Sequence, residues 1–233
     1  MSVPYKLWNG ECSDFIGEII PLEVSCIITD PPYPDQYEEL FDYKEGQIDF
    51  LKTFDCRQIV FWSARFPFPH DYTAIHIWDK RMGAGRAEYD RIFERNGQNG
   101  YLMFREYFIN STVAASYGQD VFTGHPSQKP IRLMRKLIEK FTKPDDLIFD
   151  PFMGSGSTGV AALQLGRRFV GCERKQEFFS IAESRIQSAA LQPALLHVAQ
   201  HSVQRTGGES GQQNLFSAGD VLPAKVTAKS PRR

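Results

Sequence analysis

Short apolar runs rich in β-branched and aromatic residues, each closed by a polar or turn residue, recur along the chain. Val24 to Thr29, Gln58 to Trp62, Tyr72 to Trp78, Leu147 to Phe149 and Arg168 to Cys172 read as strands. Elsewhere the apolar positions fall at helical spacing. Ile131, Met134, Leu137, Ile138 and Phe141 make one face of a helix over Pro130 to Thr142. Ser157 to Leu165 and Gln176 to Ala190 predict two more. Asp35 to Phe54 mixes charged and apolar residues and predicts one or two helices broken near Gly46, with Leu40, Phe41, Ile48, Leu51 and Phe54 as core candidates. Arg81 to Asn99 is the least regular stretch, dominated by glycine and charge, and Tyr101 to Asn110 returns to one or two strands. Beyond Leu191 glutamine, serine, glycine and lysine replace large apolar residues. That shift predicts one folded domain over 1–190 and a disordered tail over 191–233.

With 233 residues the chain can bury a sizeable core. A net charge of −1 and a pI near 6.5 announce no polyanionic partner, so any contact with nucleic acid would come from a local patch. Two stretches qualify, each with a plain alternative. Arg132, Arg135, Lys136, Lys140 and Lys143 face Glu139 alone on the polar side of the 130–142 helix, as a solvated face or a phosphate-contacting one. Gly83, Gly85 and Arg86 fit a loop that tracks a phosphate backbone, but acids nearly balance bases from Asp79 to Glu106, as in a solvated hairpin. The four cysteines, Cys12, Cys26, Cys56 and Cys172, form no C-x-x-C pair. They read as free thiols of a reducing cytosol, with no metal site. No signal peptide or membrane-length apolar run is evident, so a cytoplasmic location is expected.

Two stretches carry candidate chemistry. The strand ending at Thr29 runs into Asp30, and Pro31-Pro32 stop it and stiffen the chain. With Tyr33 following, a carboxylate, free carbonyls and a ring stand together, a set suited to a planar aromatic amine. An ordinary Pro-rich turn fits the same residues. The second stretch, Asp150-Pro151-Phe152-Met153-Gly154-Ser155-Gly156-Ser157-Thr158-Gly159, lies between a strand and a helix. Its glycines match G-x-G-x-x-G and would let a ligand approach backbone and helix amides closely. Glu173, ending the next strand, stands where an acid holds ribose hydroxyls. Alone, this half-site suits NAD as well as any other nucleoside cofactor.

Together the two stretches resemble S-adenosylmethionine-dependent DNA amino-methyltransferases. Asp30-Pro31-Pro32-Tyr33 is similar to their catalytic DPPY tetrapeptide and Asp150 to Gly156 to their D-P-F-x-G-S-G cofactor loop. His125-Pro126-Ser127-Gln128-Lys129-Pro130 is similar to the H-P-x-x-K-P element before that loop. The resemblance covers residues 5 to 190, in the circularly permuted order of the β class. It implies an α/β fold with a doubly wound, mixed and mostly parallel sheet, Rossmann-like and circularly permuted, whose two motif loops lie side by side at the strand ends. It implies S-adenosylmethionine as cofactor and DNA as partner, with Asp30, Pro31, Pro32 and Tyr33 as the catalytic set. Cofactor contacts would come from Asp150, Pro151, Phe152, Gly154, Gly156, Ser157 and Thr158, with Glu173 on the ribose and Ser127 and Lys129 near the carboxylate. Phe152 also fits a core position. The family has a strand ending in N/Q-G-D near the adenine, where this chain has Asn9-Gly10-Glu11 and then Cys12. A hairpin-like Asn-Gly turn also fits that stretch.

The family's W-x-K element corresponds to Trp78-Asp79-Lys80, with Trp78 as pocket wall or core, and the target-recognition insert, about 79–110, is short. The reaction implied is methylation of the exocyclic amine of a flipped base. Asp rather than Ser at position 30 favours adenine N6, with cytosine N4 as the alternative, and the absence of Pro-Cys excludes cytosine-C5 chemistry. Readings of other classes are an NAD-dependent dehydrogenase, a catalytically idle DNA-binding module, and methylation of a protein glutamine, which uses N-P-P-Y. A restriction-modification or phage setting in a bacterial cell follows from the family, and the oligomeric state stays open. In the tail, Gln212-Gln213-Asn214-Leu215-Phe216 resembles the Q-x-x-L-F peptide that docks on sliding clamps.

Overall fold

The computed structural model describes residues 4–34, 43–80, 88–98, 100–106 and 123–205, with side chains up to Leu191 in the last helix. Leu40, Phe41, Gly83 to Arg86 and the clamp-like Gln212 to Phe216 lie outside the described residues, as does 107–110 of the strand expected over Tyr101 to Asn110. The strands are β1 (Tyr5–Asn9), β2 (Cys26–Thr29), β3 (Arg57–Trp62), β4 (Ala74–Asp79), β5 (Tyr89–Arg95), β6 (Met103–Arg105), β7 (Leu147–Asp150) and β8 (Arg168–Glu173). They form one sheet in the order β1-β8-β7-β2-β3-β5-β4-β6. β5 runs antiparallel to both neighbours and every other pair is parallel. The sheet is thus the mixed, mostly parallel one expected.

Period-two alternation within each central strand divides the core. Cys26, Ile28, Ile59, Phe61, Ile148 and Phe169 face one side, against α2 (Ile131–Phe141), α3 (Ser157–Gln164) and α4 (Gln176–Arg205). Ile27, Val60, Trp62, Phe149, Val170 and Cys172 face the other, against α1 (Cys12–Ile19) and a 3-10 turn at Asp49–Thr53. That short turn stands where a longer helix was expected after Gly46. α4 continues to Arg205, beyond the Leu191 boundary drawn from composition.

The largest departure lies in Arg81 to Asn99, where no regular strand is evident in the sequence. β5 occupies it, and Ile92 and Phe93 are fully buried between β3 and β4. Its charges hide the strand pattern because they are matched. Glu94, 3% exposed, meets Arg57 at 3.0 Å and His76 at 2.9 Å. Arg91 donates to the Ser63 carbonyl at 2.9 Å through Nε, and Asp90 meets Lys80 at 2.9 Å. Such partners are what allow charged groups into a sheet interior.

Candidate active site

Parallel pairing of β2 with both β7 and β3 brings Asp30 and Asp150 out on one rim of the sheet. The Asp150 carboxylate braces that rim. Its Oδ1 accepts from the Thr29 hydroxyl at 2.7 Å and the Phe152 amide at 3.1 Å, and its Oδ2 from the Thr158 hydroxyl at 2.6 Å. Burial pushes its pKa up to about 6, against the pull of those hydrogen bonds.

The glycine loop closes by backbone geometry. Gly154 and Gly156 have φ of 51° and 78°, left-handed values that glycine adopts without strain. A Cβ on Gly154 would lie 2.9 Å from His125 Nε2, so the loop packs directly beneath that imidazole. His125 also meets Phe178 edge-on, with ring centroids 4.3 Å apart, and its Nδ1 accepts from the Ser127 amide at 3.2 Å. Burial, then the charges of Lys129, Arg185 and Lys175, lower its pKa to about 4, so the ring is neutral at ordinary pH. Glu173 accepts from the Gly154 amide at 3.0 Å and the Lys175 amide at 2.8 Å, tying the end of β8 to the loop. Burial raises its pKa despite those amides.

These elements line one open cleft. Of the residues expected from sequence, Glu11, Cys12, Asp30, Pro32, Ser127, Lys129, Asp150, Pro151, Phe152, Gly154, Ser157, Thr158 and Glu173 line it. Three do not. Gly156 caps α3 underneath, where a Cβ would sit 3.0 Å from Ala182. Pro31 is buried, and Tyr33 packs at 5.8 Å on Trp62. Trp78 is core, fully buried, with its indole N–H on the Glu106 carbonyl at 2.9 Å. Gly10, Gln47, Met153, Arg174, Lys175 and Phe178 line the cleft without having been singled out. Gln47 is the informative omission: its amide donates to the Pro32 carbonyl at 2.6 Å, and nothing in its local sequence marks it.

Asp150 was expected to cradle the cofactor; it lines the cleft, and its two oxygens also hold the two motif strands together. Glu11 pairs with Arg174 at 3.0 Å. Asn9-Gly10 makes no hairpin, because the Gly10 amide and the Asn9 side chain both donate to the Glu173 carbonyl at 3.0 Å and join β1 to β8. The neighbouring Cys172 thiol, and then burial, push Cys12 far above an ordinary thiol, so it is neutral. The four cysteines are free.

Asp30 is the chemically exposed group. Lys129 Nζ meets its Oδ2, with the Ser127 hydroxyl 3.5 Å from the same oxygen. Oδ1 is buried and has no hydrogen-bond partner among the described residues. Lys129 was expected at the cofactor's carboxylate, and its anionic partner here is Asp30. Burial raises the Asp30 pKa and the Lys129 ammonium opposes the shift.

Residues 72–184, which hold the H-P-x-x-K-P element, the glycine loop and Glu173, match the model of a family described as DNA methylase. The match covers just under half of the chain and begins after Asp30, so the tetrapeptide joins the cleft by geometry. The type II methyltransferase M2.DpnII of Streptococcus pneumoniae is 48% identical over 64 residues, 28% of this chain and 24% of that protein. The chain spans only 24% to 30% of the length of the curated relatives that it matches. Among solved structures, the M1.HpyAVI–SAM complex superposes with a TM-score of 0.55 at 22% identity, over 78% of this chain and 98% of that one. PvuII DNA methyltransferase, cytosine-N4-specific, gives 0.54 at 16% identity, over 81% and 92%. At such identities the likeness is one of fold. Among the described residues no group of three His, Cys, Asp or Glu side chains could hold a metal ion, and no helix is long and apolar enough to cross a membrane.

Proposed function

We propose that the protein is an S-adenosylmethionine-dependent DNA methyltransferase acting on the exocyclic amine of a flipped-out base, adenine N6 in preference to cytosine N4. One observation carries the reading: Asp30, with an unpartnered buried oxygen, opens into the same cleft as the Gly154 loop. The cleft suits the cofactor. Phe152 and Phe178 offer apolar walls, the Gly154 loop runs along its floor, and Glu173 stands at the end of β8 for ribose hydroxyls.

The bound sulfonium supplies an electrophilic methyl and departs as a thioether. The residues handle the amine, whose lone pair is delocalised into the ring. Asp30 Oδ1 accepts one N–H and the Pro31 carbonyl the other, which draws the nitrogen toward tetrahedral geometry and stabilises its developing positive charge. With the methyl passing from sulfur to nitrogen, the surplus amine proton would leave along the hydrogen bond to Asp30. A base reaches Asp30 only outside the duplex, at a cost of about a few kcal/mol. Tyr33, held against Trp62, is the ring on which the flipped base would stack. Residues 1–190 would then be the catalytic domain, with the short 79–110 segment contributing to target recognition.

Incubation with DNA and isotopically labelled cofactor, followed by mass spectrometry of the nucleosides, tests this. N6-methyladenine is the expected product. N4-methylcytosine would redirect the base assignment, whereas cofactor binding without transfer to any DNA would mark an idle module.

A further inference from the structure

The proposed chemistry needs Asp30 ionised and turned so that one oxygen meets the amine, yet its largely buried carboxylate is pushed toward the protonated form by desolvation. The structure supplies a group for that purpose. Lys129 is 7% exposed, and its ammonium lies against Asp30 Oδ2. It sits 5.2 Å from the Phe61 ring centroid and 5.9 Å from that of Trp78, with the Ser127 hydroxyl at 3.5 Å. Two fully buried rings therefore hold the head group in place, and a buried ammonium is retained only with its anion.

Resting on the methyltransferase reading, we propose that Lys129 is the positioning residue of Asp30: it occupies Oδ2, fixes the carboxylate rotamer, and leaves Oδ1 as the carboxylate oxygen that accepts from the amine, beside the Pro31 carbonyl. Other charges facing Asp30 are Lys80 after β4 and Asp90 on β5, which pair with each other, and Asp150 at the end of β7. Lys129 is the cation in direct contact, so its removal leaves desolvation and the two acids opposed only by Lys80, which is paired with Asp90.

The test compares Lys129→Met and Lys129→Arg in the full chain, with cofactor affinity measured by calorimetry and the pH dependence of kcat at saturating cofactor. Lys129→Met is expected to bind S-adenosylmethionine within about threefold of wild type while kcat at neutral pH falls about 100-fold. Its acid limb should move up by about 1–3 pH units, because an uncompensated buried carboxylate stays protonated to higher pH. Lys129→Arg keeps the charge and should keep the limb near its wild-type position. An unmoved limb, or a tenfold loss of cofactor affinity with normal kcat at saturation, overturns the proposal. If Lys129→Met does not fold, Asp30→Asn with Lys129→Met should restore folding by removing the stranded charge, and failure to do so also counts against the pairing. A wild-type protein that methylates no DNA ends the methyltransferase reading itself, a result separate from any of these.

Discussion

The Thr29 hydroxyl donates to the Asp150 carboxylate at 2.7 Å across 121 residues of sequence. This bond sits where the strand carrying Asp30 meets the strand carrying the glycine loop, so the spacing of the two halves of the site depends on it. Thr29 is fully buried, and Thr29→Val strips a donor from a buried carboxylate. Stability should fall by about 1–3 kcal/mol in urea denaturation, with Thr29→Ser recovering most of the loss. Equal stability of the valine and serine variants would show that the bond does not brace the seam.

Asp30→Ala should lower kcat about 100- to 1000-fold, while cofactor affinity stays within about threefold. Single-turnover transfer and calorimetry on the same preparation separate the two effects. Normal turnover would remove Asp30 from the mechanism.

Gly154→Val places a branched side chain at φ 51°, where its Cβ would press on His125. Backbone strain of about 1–3 kcal/mol at the loop should weaken S-adenosylmethionine binding at least about tenfold. Unchanged affinity would mean that the cofactor avoids this loop.

Two neighbouring groups should impose opposite pH dependences on stability. Folded Asp150 keeps its proton to about pH 6, well above an unfolded carboxylate, so its contribution is lost as pH rises from about 4 to 6. Folded His125 is neutral down to about pH 4, so its contribution is lost as pH falls from about 6.5 to 4. Each effect amounts to about 3 kcal/mol. Relative to wild type, Asp150→Asn should gain stability as pH rises through this window and His125→Gln should lose it. Parallel curves for the two variants in pH-resolved denaturant titrations would contradict both assignments.

Glu94→Ala should destabilise the fold by about 3–5 kcal/mol, because Arg57 and His76 lose a buried partner. A change under about 1 kcal/mol would show that β5 is held by its apolar residues alone.

The motif loops were legible because their chemistry is local: Asp30 stops a strand at two prolines, and Gly154 and Gly156 serve backbone angles fixed within a few residues. What escaped depends on distant partners. Tyr89 to Arg95 reads as a charged surface stretch until Arg57, His76, Ser63 and Lys80 are seen around it. Gln47 reaches the Pro32 carbonyl from 15 residues away with no local signal. The contacts of Asp150 with Thr29 and of Lys129 with Asp30 escaped for the same reason, since a motif specifies which residues converge but not which partners each one meets. α4 ran past its expected end because the composition shift at Leu191 removes large apolar residues but leaves residues compatible with helix.

Because β2 lies between β3 and β7, one of its edges must wait for a neighbour that is synthesised much later. At about 5–20 residues per second, the 121 residues from Thr29 to Asp150 take roughly 6 to 24 s to leave the ribosome. Until then the nascent chain has a backbone ladder satisfied on the β3 side alone, next to some of the most apolar residues in the protein. Folding of this protein is therefore expected to be slow and prone to early self-association, with chaperone demand greatest before the second half of the sheet emerges.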